Sequence, residues 1–222
     1  MTEIPQETAQ RLTQKARRYS ASGDYPAAIE EQRQAIRILQ NELNRMERQT
    51  PELADEREKY AHRLSDCLGR LGGIYRRAGL IPEGIEAYRQ GKEIERQYRL
   101  DDSYNLTNWI VLRLLEDPAR LAELAGDINQ AIDLIRGQVE GPRRDQWWAW
   151  ADLGLVCHLG GRPREAREAY ERFKQTGARR ADYQSVLAVL NPLKQQFEPS
   201  APELAAQLGD TIRDLQASSG KP

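Results

Sequence analysis

The sequence has few of the residues that disulfide frameworks, zinc sites and most hydrolytic active sites require. It contains only two cysteines and two histidines in 222 residues. Two cysteines are too few for a disulfide framework, and neither has a histidine at the paired spacing of a zinc site. Cys157 and His158 are adjacent, so on a helix they point about 100° apart and cannot face each other as a catalytic pair. The sequence therefore predicts a protein that is not an enzyme and that uses no metal or other cofactor.

The chain also lacks a long apolar run and an excess of charge of either sign. No stretch approaches the roughly 18 uninterrupted apolar residues of a membrane span, and residues 1–7 have neither the basic flank nor the apolar run of an export signal. A cytoplasmic location is the expectation. The 33 basic residues nearly balance the 34 acidic ones, so no overall field draws the chain to a membrane or to nucleic acid. Any partner must therefore be recognised by a local group of residues and not by the overall charge.

What is present is helical periodicity. Charged residues make up 30% of the chain and hydrophobic residues 39%, which is typical of a soluble helical protein. Trp150, Leu153 and Cys157 recur at helical spacing, Gly160-Gly161 interrupts the helix, and the segment 166–173 resumes the pattern. Small residues on this hairpin suit points where two helix backbones approach closely. The segment 150–173 therefore predicts two short antiparallel helices.

Six positions of this hairpin combine large residues, small residues and a turn glycine in one order: Trp150, Leu153, Gly154, Gly161, Ala166 and Tyr170. In that order they resemble the tetratricopeptide repeat (TPR), a helix–turn–helix unit of about 34 residues. A second copy matches at Leu68, Leu71, Gly72, Tyr75, Gly79 and Tyr88. A third keeps Leu12, Tyr19, Gly23, Ala28 and Ala35, with Gln32 at the aromatic position. A fourth is degenerate and is recognised mainly by the turn expected at Gly126.

The resemblance implies one all-α domain over residues 1–222, a solenoid of antiparallel helix pairs. The repeat-like units are expected at 9–42, 65–98, 105–140 and 147–180. Capping helices follow at 181–216, with a kink or break near Asn191 because Pro192 lies in the path of the first, and then a disordered tail at 217–222. In the fourth copy a helix beginning at Pro118 is expected to reach Val139, with a kink at Gly126.

The second and third helices are expected to be longer than a repeat needs. Helical spacing continues to Gln49. Thr50-Pro51 is then a favourable start for a new helix, because proline is tolerated at the first helical position. Two helices of about 25 residues would form a hairpin about 38 Å long. Its outer part is rich in charged residues, which fits either a solvated extension or an arm that dimerises or docks on an enzyme.

In the TPR family, the first helix of each unit lines a groove that holds a partner's peptide or helix. Carried over to this sequence, the resemblance implies groove positions at Arg17, Arg76, Arg77, Trp148 and His158. The lysine and asparagine residues with which one TPR subclass grips the terminal carboxylate of heat-shock chaperones are absent from these positions, so that role is not implied. Trp148 and His158 could instead be core residues covered by a neighbouring helix.

Three functions remain open on the sequence alone. The first is a non-catalytic adaptor or scaffold that binds a segment of another protein. The alternative is a regulatory subunit that self-associates, for example as a homodimer, and docks on an enzyme through the hairpin near residues 36–64. Arginine doublets such as Arg143-Arg144 could also contact an acidic peptide or nucleic acid, but they fit solvated charge better, and nucleic acid is not the expected partner.

Overall fold

The computed structural model describes residues 5–48 and 54–219, and regular structure within these residues is entirely helical. The ten α-helices of the described residues are α1 Pro5–Ala21, α2 Tyr25–Glu47, α3 Ala54–Arg77, α4 Ile81–Tyr98, α5 Tyr104–Glu116, α6 Ala125–Glu140, α7 Trp147–Leu159, α8 Pro163–Gln175, α9 Arg180–Phe197 and α10 Pro202–Ser219. A 3-10 helix spans Pro118–Leu121. The prediction of an all-α fold is confirmed.

The chain divides into two compact units, Met1–Trp109 and Ile110–Pro222. In the first unit α1 packs against α2, α2 against α3, and α3 against α4. In the second, α6 packs against α7, α7 against α8 and α9 against α10. That residues 1–222 act as one domain stays a prediction.

Turn glycines separate the helices of three pairs. Gly23, Gly79 and Gly161 have φ values of 82°, 75° and 68°, in the left-handed region that glycine enters without steric cost. Gly126 does not share this role, because it lies in the first turn of α6. The expected helix from Pro118 to Val139 is also interrupted after the 3-10 helix, so the degenerate copy is less regular than the sequence indicates.

Close contacts between a small and a large residue hold the helix pairs together. A Cβ atom added at Gly72 would lie 2.7 Å from Cε2 of Tyr88, and one added at Gly154 would lie 2.6 Å from Cε2 of Tyr170. Both tyrosine side chains are buried. In the first pair a buried Gln32 replaces the aromatic residue, and its Nε2 donates to the carbonyl of Cys67 at 3.0 Å. The helix pairs α3/α4 and α7/α8 thus have the small-to-aromatic contact that the TPR pattern predicts.

The long hairpin is formed by α2 and α3, of 23 and 24 residues. It does not stand clear of its neighbours, because the end of α4 packs along it. The Tyr98 hydroxyl donates to the carboxylate of Glu47, and Leu100 shares a core cluster with Tyr60 and Leu64. The predicted restart at Thr50-Pro51 lies outside the described residues.

The last two helices close the second unit. α10 packs against α7, α8 and α9, which is the role expected of a capping helix. α9 is continuous through Pro192, so the helix does not break near Asn191; a kink there stays a prediction. Burial of Leu190, Leu193 and Phe197 offsets the backbone hydrogen bond that proline cannot donate. α10 continues to Ser219, so residues 217–219 are helical rather than part of a tail.

Candidate partner-binding face

One surface of the first unit brings together three of the predicted groove positions. Arg77, at the end of α3, donates from Nη2 to the Ser20 hydroxyl of α1 at 3.1 Å. Arg17 is exposed and precedes Ser20 by about one helical turn, so the two residues share a face of α1. Arg76 is half-buried, and its charge and that of Arg77 both act on the Tyr88 hydroxyl. We call the residues Arg17, Ser20, Gly73, Arg76, Arg77 and Tyr104 the arginine face.

Tyr104 extends the arginine face onto the start of α5. A Cβ added at Gly73 would lie 3.5 Å from both Nη1 of Arg77 and the hydroxyl of Tyr88. The Tyr88 ring in turn meets the Tyr104 ring edge-on, with centroids 6.1 Å apart. Tyr104 is 40% exposed, so part of its ring is open to a partner next to Tyr88.

The guanidinium groups of the arginine face lack the ion pairs that neutralise arginines elsewhere. On α2, Arg37 is 3.1 Å from Glu30, and on α4, Arg89 is 2.8 Å from Glu86. Within residues 5–48 and 54–219, no carboxylate lies within ion-pair distance of Arg17, Arg76 or Arg77. The face therefore presents positive charge that an acidic partner could pair with.

The corresponding positions of the second unit are not open in the same way. Trp148 is half-buried, and the Arg143 guanidinium lies over its ring, 4.9 Å from the centroid. His158 is only 4% exposed, and its Nε2 is 2.9 Å from the Thr211 hydroxyl of α10. The structure thus brings Arg17, Arg76 and Arg77 together on one surface and places His158 in a core, beneath the capping helix.

Burial controls the charge of His158. Loss of solvent lowers the pKa of the imidazole to about 4. The ring is therefore neutral at pH 7. A neutral, buried imidazole stabilises the contact between α7 and α10 and is not available to recognise a partner.

Sequence reasoning missed a buried polar cluster behind the arginine face. Ser65, Glu95 and Asn105 are each at most 5% exposed, and they join α3, α4 and α5. A signal was present in the sequence, because Glu95 lies four residues after Gly91 and therefore on the same inner face of α4. A carboxylate at such a position requires buried hydrogen-bond donors.

The described residues contain no group of three or more His, Cys, Asp and Glu side chains that could hold a metal ion. Burial raises the pKa of the Cys67 thiol, and it raises the pKa of Cys157 to about 11. Both thiols are thus protonated at pH 7 and are weak nucleophiles. None of the helices in the described part of the chain is long and apolar enough to cross a membrane.

No family model and no curated protein matches the sequence. Among solved structures, the chain is similar to the nearly identical TPR-like repeats of a Podosopora anserina protein described as a kinesin light chain, at 20% identity and a TM-score of 0.45 over 100% of both chains. It is also similar to the MamA protein, at 15% identity and a TM-score of 0.42 over 96% of this chain and 92% of that one. BtubC from P. vanneervenii matches at 15% identity and a TM-score of 0.41, over 100% and 94%.

These TM-scores lie below 0.5, so the fold assignment rests on the chain's own helix pairs. Turn glycines with positive φ end the first helix of three pairs, and a glycine packs against a buried tyrosine in two of them. The fold is therefore all-α and TPR-like.

Proposed function

We propose that this protein is a non-catalytic adaptor whose arginine face binds an acidic segment of another protein. The observation that carries the proposal is the grouping of Arg17, Arg76 and Arg77, none paired with a described carboxylate, on one surface of the first unit. Arginine binds carboxylates in a bidentate geometry, which favours peptides rich in Asp or Glu. Tyr104, whose ring meets that of Tyr88, supplies an exposed aromatic surface.

The hairpin of α2 and α3 is the alternative surface, through which the chain would self-associate. The end of α4 covers part of that hairpin, with Tyr98 bonded to Glu47. The arginine face has no such cover from the helices of the first unit, apart from the bond between Arg77 and Ser20. This difference favours the arginine face.

A charge reversal with a matched control tests the proposal. The probe is a fluorescein-labelled peptide of alternating Glu and Gly residues, with its Lys counterpart as a charge control. Arg76→Glu with Arg77→Glu should weaken binding of the Glu peptide at least tenfold, because it replaces two attractive contacts with repulsive ones; tenfold corresponds to about 1.4 kcal/mol. Fluorescence anisotropy measures the Kd at low salt.

The control is Arg164→Glu with Arg167→Glu, two exposed arginines of α8 in the second unit. It changes the net charge by the same amount at residues that are not part of the arginine face, so it should leave the Kd within about twofold. Equal weakening by both double variants would mean that net charge, not the arginine face, binds the peptide. Circular dichroism should show unchanged helix content in both.

A further inference from the structure

The cluster of Ser65, Glu95 and Asn105 fastens the start of α5 to α3 and α4. The Ser65 hydroxyl donates to Oε1 of Glu95 at 2.6 Å, and Nδ2 of Asn105 donates to the same oxygen at 2.5 Å. Asn105 Nδ2 also lies 3.0 Å from the Ser65 hydroxyl oxygen. Three helices of the first unit therefore meet at one carboxyl group.

Two glycines make room for this arrangement. A Cβ atom at Gly91 would lie 2.4 Å from Cγ of Asn105, and one at Gly69 would lie 2.8 Å from its Oδ1. The Gly69 position would also bring a Cβ within 2.9 Å of the Tyr104 ring. Asn105 and Tyr104 thus fit only because α3 and α4 have no side chain at these points.

Among the residues that the structure describes, no basic side chain forms an ion pair with the Glu95 carboxyl. Asp66 on α3 and Asp102 in the loop before α5 both act on it with negative charge. From α5 it faces the uncharged Asn105, whose Oδ1 is buried and has no hydrogen-bond partner among the described residues. Two neutral donors and two neighbouring acids therefore surround a group that is 5% exposed.

We propose that Ser65, Glu95 and Asn105 form a pH-operated latch, which holds the start of α5 and Tyr104 against α3 while the Glu95 carboxyl is neutral and loosens them when it ionises. The latch regulates the arginine face, and this consequence for binding rests on the proposed function. The latch itself is a property of the first unit and can be measured without any partner.

Glu95 loses its proton in the pH range in which such a latch would operate. Burial is the largest cause and raises the pKa of Glu95 to about 7, against two hydrogen bonds that lower it. The Glu95 carboxyl has a higher pKa when α5 is docked than its ordinary value of 4.5. Its neutral form therefore stabilises docking of α5 in full below pH 4.5, and this stabilisation is lost as the pH rises through 7. Docking of α5 should therefore weaken about tenfold between pH 6 and pH 8.

Amide hydrogen exchange of residues 104–109 tests the latch on the full-length chain. After correction for the intrinsic pH dependence of exchange, protection of the wild type should fall about tenfold from pH 6 to pH 8. Glu95→Gln keeps the shape of the side chain but cannot ionise, so its protection should not change with pH. Glu93→Gln is the matched control: Glu93 lies on the same helix, exposed and paired with Arg96, and its variant should behave as wild type.

Comparison of the wild type with each variant distinguishes failure of the latch from failure of the proposed function. A wild-type protection that is independent of pH, or a Glu95→Gln variant that keeps the wild-type dependence, would overturn the latch. A carbon-13 NMR titration of the Glu95 carboxyl tests the latch in the wild type alone. A titration midpoint below pH 5.5 would also overturn the latch. Binding of the Glu peptide should be tighter at pH 6 than at pH 8 in the wild type and independent of pH in Glu95→Gln; loss of all peptide binding with a working latch would refute only the proposed function.

Discussion

Replacing Gly154 by alanine tests whether the close approach of α7 and α8 stabilises the second unit. The added Cβ would lie 2.6 Å from Cε2 of Tyr170 and 2.8 Å from its Cδ2. Tyr170 is 2% exposed, so its ring has little room to move away. Overpacking of this kind costs about 1–3 kcal/mol, and alanine recovers about 1 kcal/mol of helix propensity over glycine. A net loss of up to about 2 kcal/mol should result.

Gly137→Ala in α6 supplies the matched control. Gly137 is exposed in the last turn of α6, in the same unit, and nothing lies within 4 Å of a Cβ added there. This substitution keeps the propensity gain without the clash, so it should stabilise the chain by about 0.5–1 kcal/mol. The two glycine-to-alanine changes should therefore have opposite signs.

Urea denaturation, followed by tryptophan fluorescence, measures the free energy of unfolding of both variants. Three of the four tryptophans, Trp147, Trp148 and Trp150, lie in α7 and report directly on the helix that carries Gly154. The reasoning is refuted if Gly154→Ala is as stable as Gly137→Ala, because the packing of Tyr170 would then tolerate a methyl group.

Two further predictions concern buried polar groups. Gly91→Ala should lower the amide protection of residues 104–109 at every pH, since its Cβ would lie 2.4 Å from Cγ of Asn105; hydrogen exchange measures this, and unchanged protection would contradict it. Lowering the pH from 7 to 4 should destabilise the second unit by up to about 3 kcal/mol, because the pKa of His158 is about 4 when folded and 6.5 in its ordinary state. Urea denaturation by tryptophan fluorescence should show this loss in the wild type and not in His158→Phe.

Local features of the fold could be predicted from the sequence because their causes lie close together along the chain. The turn at Gly161 needs a positive φ that glycine adopts readily, and the pairing of Gly154 with Tyr170 spans only 16 residues. α1, Pro5–Ala21, buries Ala9, Leu12 and Ala16 at helical spacing without interruption. Periodicity and turn chemistry were sufficient at these points.

The candidate site was less predictable because its contacts join distant parts of the chain. Glu95 meets Ser65 across 30 residues, and His158 meets Thr211 across 53. The TPR resemblance treats His158 as a groove position and carries no information about α10, which covers it. Only the placement of the capping helix decides that this imidazole belongs to a core.

Glu95 and His158 give the two units opposite responses to pH. Ionisation of Glu95 withdraws stability from the first unit as the pH rises from 4.5 through about 7, whereas loss of the proton from His158 adds stability to the second unit as the pH rises from 4 through 6.5. Each change is worth about 3 kcal/mol, so a signal averaged over the whole chain would show little net change across this range. Readouts confined to one unit, exchange at residues 104–109 and fluorescence from α7, should instead move in opposite directions. If both moved in the same direction between pH 4.5 and pH 7, burial of at least one of the two groups would not control its charge.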